Sequence, residues 1–370
     1  MPVKVAVIGV KGLPGYGGSA RANNAILPLL AHKYQITVYA MDTHAGEKEY
    51  KGMTQHIFRC GGPGKWSTLA YYLKSVFHAL LFGDYDLIHL NHGSSGFITL
   101  ALRTRYPVVT TIRGLNKPFD NKWNWLEYRL LRLSELLAFT FSSRLTTVGK
   151  SSVPYIRKKT GKPVTFIPNG VYDLHATFAP AEKQDVLTFS ASRIVSLKGL
   201  HDLLRALHLI RFRDKVRIIG DLTQVPSYEK QIITLARGLD VEFTGLIQEQ
   251  DALYRLIAAS RLLVFPSYTE GMSNMLLETA SLNVPVIASD IKANTDIFNG
   301  NEIIYFPVGN VEQLAEKIGY YWNNPGKAEE MAARAHQKVT SSYQWEPIAK
   351  EYDLIYQKTL PQNIVQKKTI

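Results

Sequence analysis

A single cysteine, Cys60, in 370 residues excludes a disulfide framework and a cysteine-rich zinc site, and points to a reducing compartment. No apolar run approaches the roughly 18 residues of a membrane span, and no secretory pattern precedes the strand-like KVAVIGV that begins at Lys4. The chain is therefore expected to be cytoplasmic, or peripheral on a membrane. Metal-ligand clusters are also lacking. Asp84-Tyr85-Asp86 has the D-x-D form, but it opens an apolar strand instead of ending one. It reads as a solvated strand start, and no metal is expected. Acidic residues are scarce in one half only. Residues 1–168 hold 22 Lys and Arg against 8 Asp and Glu, the remainder 21 against 23, which gives the net +12. A surplus confined to one half predicts an anionic partner for that half. Basic and aromatic residues coexist there, but no nucleic-acid-binding module is recognisable, so a membrane or a phosphorylated acceptor is the expected partner.

Strand-like and helical segments alternate along the whole chain. In the first half the strands are read at Lys4–Val10, Gln35–Ala40, His56–Cys60, Asp86–Asn91, Pro107–Ile112, Arg144–Val148 and Val164–Ile167, with helices between them such as Ala20–Lys33, Ser67–Phe82, Lys122–Phe141 and Ser151–Lys159. The pattern predicts α/β architecture with two doubly wound, Rossmann-like domains facing a cleft. The Pro-Asn-Gly turn of IPNGV and the polar DLHATFAPAEKQD after it mark the boundary. The domains are read as residues 1–170 and 171–340, with a helix over 341–360 packing back towards the first domain. Trp345, Ile348, Tyr352 and Ile355 share one face of that helix.

Leu263 to Asp290 reads LVFPSYTEGMSNMLLETASLNVPVIASD: strand, polar loop, helix, strand. In open parallel sheets such a βαβ unit places ligands at the strand carboxyl ends. Glu270 falls in the loop and Glu278 inside the helix, where Asn274 shares its face. Backbone N–H groups from Gly271 to Met275 would meet an anion at the helix start. Carboxylates beside such an anion site suit sugar hydroxyls. In SASRIVSLKGL, Arg193 and Lys198 flank another helix start, as a diphosphate requires. Together the two stretches look like a nucleotide-sugar site.

The first half offers weaker candidates. The loop GVKGLPGYGGSA is too irregular for a dinucleotide fingerprint but suits the lining of an acceptor or phosphate cleft. His92 and Arg113 follow the ends of their strands and are candidate site residues; His89, inside its strand, is read as structural. Ser67–Phe82 has Leu69, Tyr72, Leu73, Val76, Phe77 and Leu80 at helical spacing, which predicts a core-packing stripe. Asn116–Arg144 mixes Lys117, Phe119, Lys122, Trp123, Trp125, Tyr128, Arg129 and Arg132, a combination that suits a membrane interface and equally a solvated helix with a buried aromatic side.

These motifs resemble the retaining glycosyltransferases of family 4 (group 1) with the GT-B fold, over nearly the whole chain. The resemblance rests on the glycine loop, IPNG, SR…LKG, the FTG at 243–245 and, above all, the E-x7-E spacing of EGMSNMLLE from Glu270 to Glu278. It implies that Arg193 and Lys198 bind the donor diphosphate. Glu270 would hold donor-sugar hydroxyls and Glu278 the ribose. Amides around Gly271, Ser273, Asn274, Met275 and Leu276 would hold sugar and phosphates, and Gly17 and Gly18 would line the cleft. Retention by front-face attack, without an enzymic nucleophile or a metal, is also implied. Arg113 stands where many members carry His; it cannot act as a base, but its charge can hold a phosphate or acceptor anion. Met272-Ser273 replaces a frequent Phe-Gly. The expectation is thus a metal-independent hexosyltransferase using a nucleotide-sugar, a UDP-sugar first. Its acceptor would be a growing surface glycan (capsule or lipopolysaccharide type) on a polyprenyl diphosphate at the inner membrane face. An epimerase or hydrolase on the same fold, and a non-catalytic membrane-recruited subunit, are the alternatives.

Overall fold

The computed structural model describes residues 2–15, 18–62, 64–115, 125–180 and 182–361. The chain divides into two compact units, Met1–Asn169 with Trp345–Ile370, and Gly170–Gln344.

The first unit runs β1 (Val3–Lys11), α1 (Gly18–Ala31), β2 (Tyr34–Met41), β3 (Glu49–Tyr50), β4 (Met53–Phe58), α2 (Lys65–Phe82) and β5 (Leu87–Leu90). A 3-10 turn (Gly93–Ile98) leads into α3 (Thr99–Arg103), β6 (Val108–Ile112), α4 (Trp125–Phe141), β7 (Arg144–Thr147), α5 (Ser152–Thr160) and β8 (Val164–Phe166). The sheet order is β3-β4-β2-β1-β5-β6-β7-β8. Every pairing is parallel except β3 with β4. The strand order reverses between β1 and β5, which makes their carboxyl ends the switch point.

Both sheet faces are covered, and β1 records it with period 2. Val5 and Val7 pack with Ile26 and Leu27 of α1 and with Trp345, Ile348 and Tyr352 of the last helix; Ala6 and Ile8 pack with Tyr71 of α2 and Leu102 of α3. Trp345, Ile348, Tyr352 and Ile355 are all buried, so the face read for the last helix is the packed one. Lys33 Nζ and Tyr34 Oη each donate to Asp353 at 2.6 Å and fix that helix to the α1–β2 corner.

The second unit runs α6 (His175–Phe178), β9 (Gln184–Arg193), a 3-10 turn (Ser196–Lys198), α7 (Leu200–Leu209), β10 (Lys215–Asp221), α8 (Pro226–Leu235) and β11 (Val241–Gly245). It continues α9 (Gln250–Ala258), β12 (Ser260–Phe265), α10 (Asn274–Ser281), β13 (Val286–Ser289), α11 (Lys292–Thr295), β14 (Ile304–Phe306), α12 (Val311–Asn323) and α13 (Pro325–Ser342). The last helix is then α14 (Trp345–Thr359). The sheet of the second unit is all-parallel, in the order β11-β10-β9-β12-β13-β14, so the switch point lies between β9 and β12.

Three sequence readings need correction. The strand expected at His56–Cys60 is Met53–Phe58: it pairs with β2 from Thr54 to Phe58, and its buried positions are Met53 and the polar Gln55, which gives no apolar signal in sequence. Helix α13 has no counterpart among the helices that the sequence predicts for the second half, at Gly199–Arg211, Tyr228–Gly238, Gln250–Ala258, Asn274–Leu282 and Val311–Trp322. Its buried stripe is Ala328, Met331, Ala332, Ala335 and Val339, and alanine gives too weak a hydropathy signal to stand out. The third correction concerns α2. Its buried residues are Ser67, Tyr71, Tyr72, Ser75 and Ala79; of the expected core stripe Tyr72 is buried and Val76 and Leu80 pack against the core, while Leu69, Leu73 and Phe77 are exposed. Tyr71 Oη donates to Tyr39 O and accepts from Gly9 N, both at 2.9 Å, and Ser75 Oγ donates to Tyr71 O. Satisfied hydroxyls thus occupy the inner face, and the larger hydrocarbon faces out.

Candidate functional site

The second-unit residues singled out from sequence lie around the β9/β12 switch point. β9 ends at Arg193, whose side chain is exposed. Lys198 closes the 3-10 turn, and Gly199 follows with φ 73°, capping α7. A Cβ on Gly199 would lie 2.1 Å from Pro266 O, so only glycine lets this turn meet the end of β12. The two loops are joined there. Tyr268 N donates to Leu197 O at 2.9 Å, and Lys198 Nζ donates to Glu270 Oε1 at 2.5 Å. Both charged groups are largely sheltered from solvent, which strengthens the pair relative to a surface bridge.

Helix α10 starts at Asn274 with Ser273 as its N-cap, and Ser273 Oγ accepts from Leu276 N at 3.3 Å. The amide of Leu276, expected to face a ligand, is engaged by this cap. Gly271 and Met275 are half-buried, and Met272, Ser273 and Leu276 are buried. Asn274 and Glu278 are buried one helical turn apart, as their spacing predicts, with relative exposures of 7% and 5%. A carboxylate sunk this deep needs polar partners.

Sequence reasoning missed a second tier. Tyr268 Oη donates to Asp202 Oδ2 at 2.5 Å, and the His201 ring stacks on Tyr268 at 6° and 6.0 Å between centroids. Burial and the neighbouring Asp202 carboxylate raise the Tyr268 phenol to about 12, so it remains a donor at neutral pH. Burial lowers the His201 imidazole, against the pull of Asp202. These groups brace α7 against the Glu270 loop. The only signal available in sequence was an aromatic two residues before the glutamate.

In the first unit, His92 caps the 3-10 turn: its Nδ1 accepts from Ser94 N at 3.1 Å. A backbone N–H can only donate, so the neutral ring carries its proton on Nε2. Arg113 follows β6, and its guanidinium donates to Asn91 Oδ1 at 3.0 Å and to Asn169 Oδ1 at 3.1 Å. Both partners are neutral amides, buried to 1% and 4% exposure, so they orient the charge without neutralising it. Burial lowers the Arg113 pKa, but from a value high enough to leave the cation intact. Asn91 and Asn169 were also missed; IPNG reads as a turn, and its asparagine side chain is in fact the support for Arg113. His89 is buried between Tyr356 Oη and Thr111 Oγ1, each at 2.7 Å.

Gly18 begins α1. Gly17 lies outside the described residues, as do Lys117, Phe119, Lys122 and Trp123. Asp84 pairs with Lys4 Nζ at 2.5 Å and Asp86 accepts from Lys4 N, which accounts for the D-x-D triplet at its strand start. Among the described residues no group of three or more His, Cys, Asp or Glu could hold a metal ion.

Two α/β units, each a largely parallel sheet with one switch point, define a class of proteins that bind ligands at strand carboxyl ends. Residues 16–173 match the family described as Glycosyltransferase Family 4, and residues 184–324 that described as Glycosyl transferases group 1. The chain belongs to the group 1 glycosyltransferases, with the GT-B fold. It is 25% identical over 176 residues to the capsular polysaccharide biosynthesis glycosyltransferase CapM of Staphylococcus aureus, a match over 46% of each chain. It is 28% identical over 157 residues to the putative teichuronic acid biosynthesis glycosyltransferase TuaC of Bacillus subtilis, covering 42% of this chain and 38% of that one. The matched region thus spans less than half the length of these curated relatives. The fold is shared with Anabaena HepE, solved in complex with UDP-glucose, at TM-score 0.77 and 18% identity over 96% of this chain and 99% of that one.

Proposed function

We propose that this chain transfers a sugar from a nucleotide-sugar donor, most simply a UDP-sugar, to a growing lipid-linked surface glycan, with retention of anomeric configuration and without a metal. The observation that carries the donor reading is the Lys198–Glu270 pair at the β9/β12 switch point, beside the start of α10 and the buried Glu278. In this reading Arg193 and Lys198 hold the diphosphate, Glu278 binds the ribose hydroxyls and Glu270 those of the sugar. Without donor, Lys198 and Glu270 neutralise each other. A bound diphosphate draws Lys198 towards itself and leaves Glu270 free to accept from sugar hydroxyls. The acceptor hydroxyl attacks the anomeric carbon as the bond to the diphosphate oxygen breaks, and its proton passes to that diphosphate. Lys198 and Arg193 stabilise the charge that develops there.

The first unit is assigned the acceptor. Arg113, held by Asn91 and Asn169 with its charge uncompensated by either, suits an acceptor phosphate, and His92 Nε2–H suits a hydroxyl or phosphate oxygen. The relatives in capsular and teichuronic acid synthesis support a surface-glycan acceptor. The first-half basic surplus supports a peripheral location at the inner membrane face.

Thermal-shift binding of UDP, GDP, ADP and dTDP tests the donor reading. A UDP shift is expected. Glu278→Gln and Glu278→Ala should each weaken it by about 1–3 kcal/mol as buried hydroxyl partners go unpaired. Stabilisation by none of the four nucleotides would overturn the proposal.

A further inference from the structure

We propose that the outer face of α2, α3 and α4 in the first unit is a docking surface for an anionic phospholipid bilayer. The inference deepens the peripheral location proposed above and rests on it. The first observation is that two helices expose a row of large apolar side chains to the outside. Helix α2 buries Ser67, Tyr71, Tyr72, Ser75 and Ala79, and exposes Trp66, Leu73, Phe77, Leu81 and Phe82. Helix α4 buries Ser134, Glu135, Ala138 and Phe139, while Trp125, Leu126, Leu130, Leu133 and Leu136 are exposed. A helix solvated on its outer face carries the opposite pattern. Trp66 at 83%, Trp125 at 70% and Phe82 at 70% exposure are too many large side chains on one layer for ordinary surface scatter.

The helices belong to one layer, opposite α1 and α14. The 3-10 turn Gly93–Ile98 joins them: Phe97 contacts the Tyr72 ring of α2, and its amide donates to Ser134 Oγ of α4 at 3.0 Å. A Cβ on Gly96 would lie 1.9 Å from Ser134 O, so glycine is what lets α4 approach this closely. Lys65 Nζ pairs with Glu127 at 2.6 Å and brings the two helix starts together, with Trp66 and Trp125 beside them. Leu100 of α3 adds to the same face. Between α2 and the 3-10 turn runs a groove of about 760 Å³ whose lining includes Phe58, Leu73, Phe77, Leu81, Phe82 and Ile98.

Charge selects the occupant. Helices α2 and α3 contain no Asp or Glu, and both carboxylates of α4 are engaged, Glu127 by Lys65 and Glu135 by Arg132. Arg59, Lys74, Arg103, Arg105 and Arg129 are exposed around the apolar surface. The Arg129 guanidinium lies 4.8 Å from the centre of the Trp125 ring. Apolar side chains, two exposed tryptophans and a basic surround in which, among the described residues of these helices, both carboxylates are paired match a bilayer of anionic headgroups over hydrocarbon. Among the described residues no helix is long and apolar enough to cross a membrane, so the contact is made by side chains that lie on and dip into one leaflet.

The test is co-sedimentation of the full chain with vesicles of phosphatidylglycerol and phosphatidylcholine, or of phosphatidylcholine alone. Wild type should bind the anionic vesicles, and binding should weaken as salt rises. The triple variant Leu73→Ser/Phe77→Ser/Leu81→Ser should bind at least about tenfold more weakly, since each lost apolar side chain removes inserted area. Leu209→Ser, an equally exposed leucine on α7, should bind as wild type does. All three chains should keep the same nucleotide-induced thermal shift, which reads folding and the donor site separately. Triple-variant binding equal to wild type overturns this surface and leaves the peripheral location standing. No binding by wild type overturns both. A wild-type dimer that the triple variant converts to monomer, without vesicle binding, assigns the face to a second copy of the chain and overturns the proposal.

Discussion

Lowering the pH from 7.5 to 5 should loosen the centre of the first sheet through one side chain, His89. The ring is 2% exposed and wedged between Tyr356 and Thr111, and burial together with the nearby Arg113 charge holds its pKa down to about 3, from an ordinary 6.5. Above pH 6.5 it is neutral in folded and unfolded chains alike and contributes no pH dependence. Below that, the unfolded chain takes up a proton that the buried ring refuses until the pH nears 3, so stability is lost progressively across that window. At pH 5 the difference amounts to about 1.5 pKa steps, or about 2 kcal/mol at 1.36 kcal/mol each. The assay is native-state hydrogen exchange of the β5 peptide, Leu87–Leu90, with protection corrected for the intrinsic rate at each pH. Wild-type protection should fall by roughly thirtyfold more between pH 7.5 and 5 than that of His89→Gln, which has nothing to protonate there. Comparing slopes cancels the carboxylates and the other histidines. Equal slopes in the two proteins would refute the reasoning, and with it the account of His89 as a neutral structural strut.

Two further outcomes concern the second unit. Lys198→Met should lower kcat/KM by about ten- to a hundredfold, the worth of a charge-assisted contact to the leaving diphosphate. An unchanged steady-state rate would remove Lys198 from the mechanism. Gly199→Ala forces a Cβ to within 2.1 Å of Pro266 O at a positive φ, and should cost at least about 1 kcal/mol in stability. Differential scanning calorimetry would record this as a fall in Tm of a few degrees, and an unaltered Tm would mean that the two loops are not held as described.

The parts of the site legible in sequence are those fixed by local geometry. Glu270 in a loop and Glu278 with Asn274 on one helix turn follow from spacing alone, because a strand-loop-helix leaves little freedom over nine residues. The tier of Tyr268, Asp202 and His201 was not legible. It unites side chains 66 residues apart, and nothing in either stretch records the other. Asn169 was hidden differently: its role as a turn residue gave a sufficient local explanation, and its bond to Arg113 spans 56 residues. For α2 the periodicity located the helix, but only Tyr72, Val76 and Leu80 of the expected stripe pack inward, and nothing local said that Leu69, Leu73 and Phe77 would face out. A stripe points inward or outward only relative to a core, and here the core accepts hydrogen-bonded tyrosine and serine. Helix α13 escaped notice for want of amplitude, since an alanine stripe buries little area per residue.

The return of α14 to the first unit has a consequence for the order in which the protein can be built. Trp345, Ile348, Tyr352, Ile355 and Tyr356 belong to the same core cluster as β1 and α1, although the whole of Gly170–Gln344 intervenes in the chain. At roughly 5–20 residues per second, synthesis of that intervening stretch takes on the order of ten seconds or more. Throughout that interval residues 1–169 have left the ribosome with one sheet face lacking its cover and with His89 lacking Tyr356. The second unit, contiguous in sequence, can complete its own core first. The half made earliest is therefore the half finished last, and during its wait it carries a greasy uncovered face that a chaperone, or the apolar surface of α2 and α4, would readily engage.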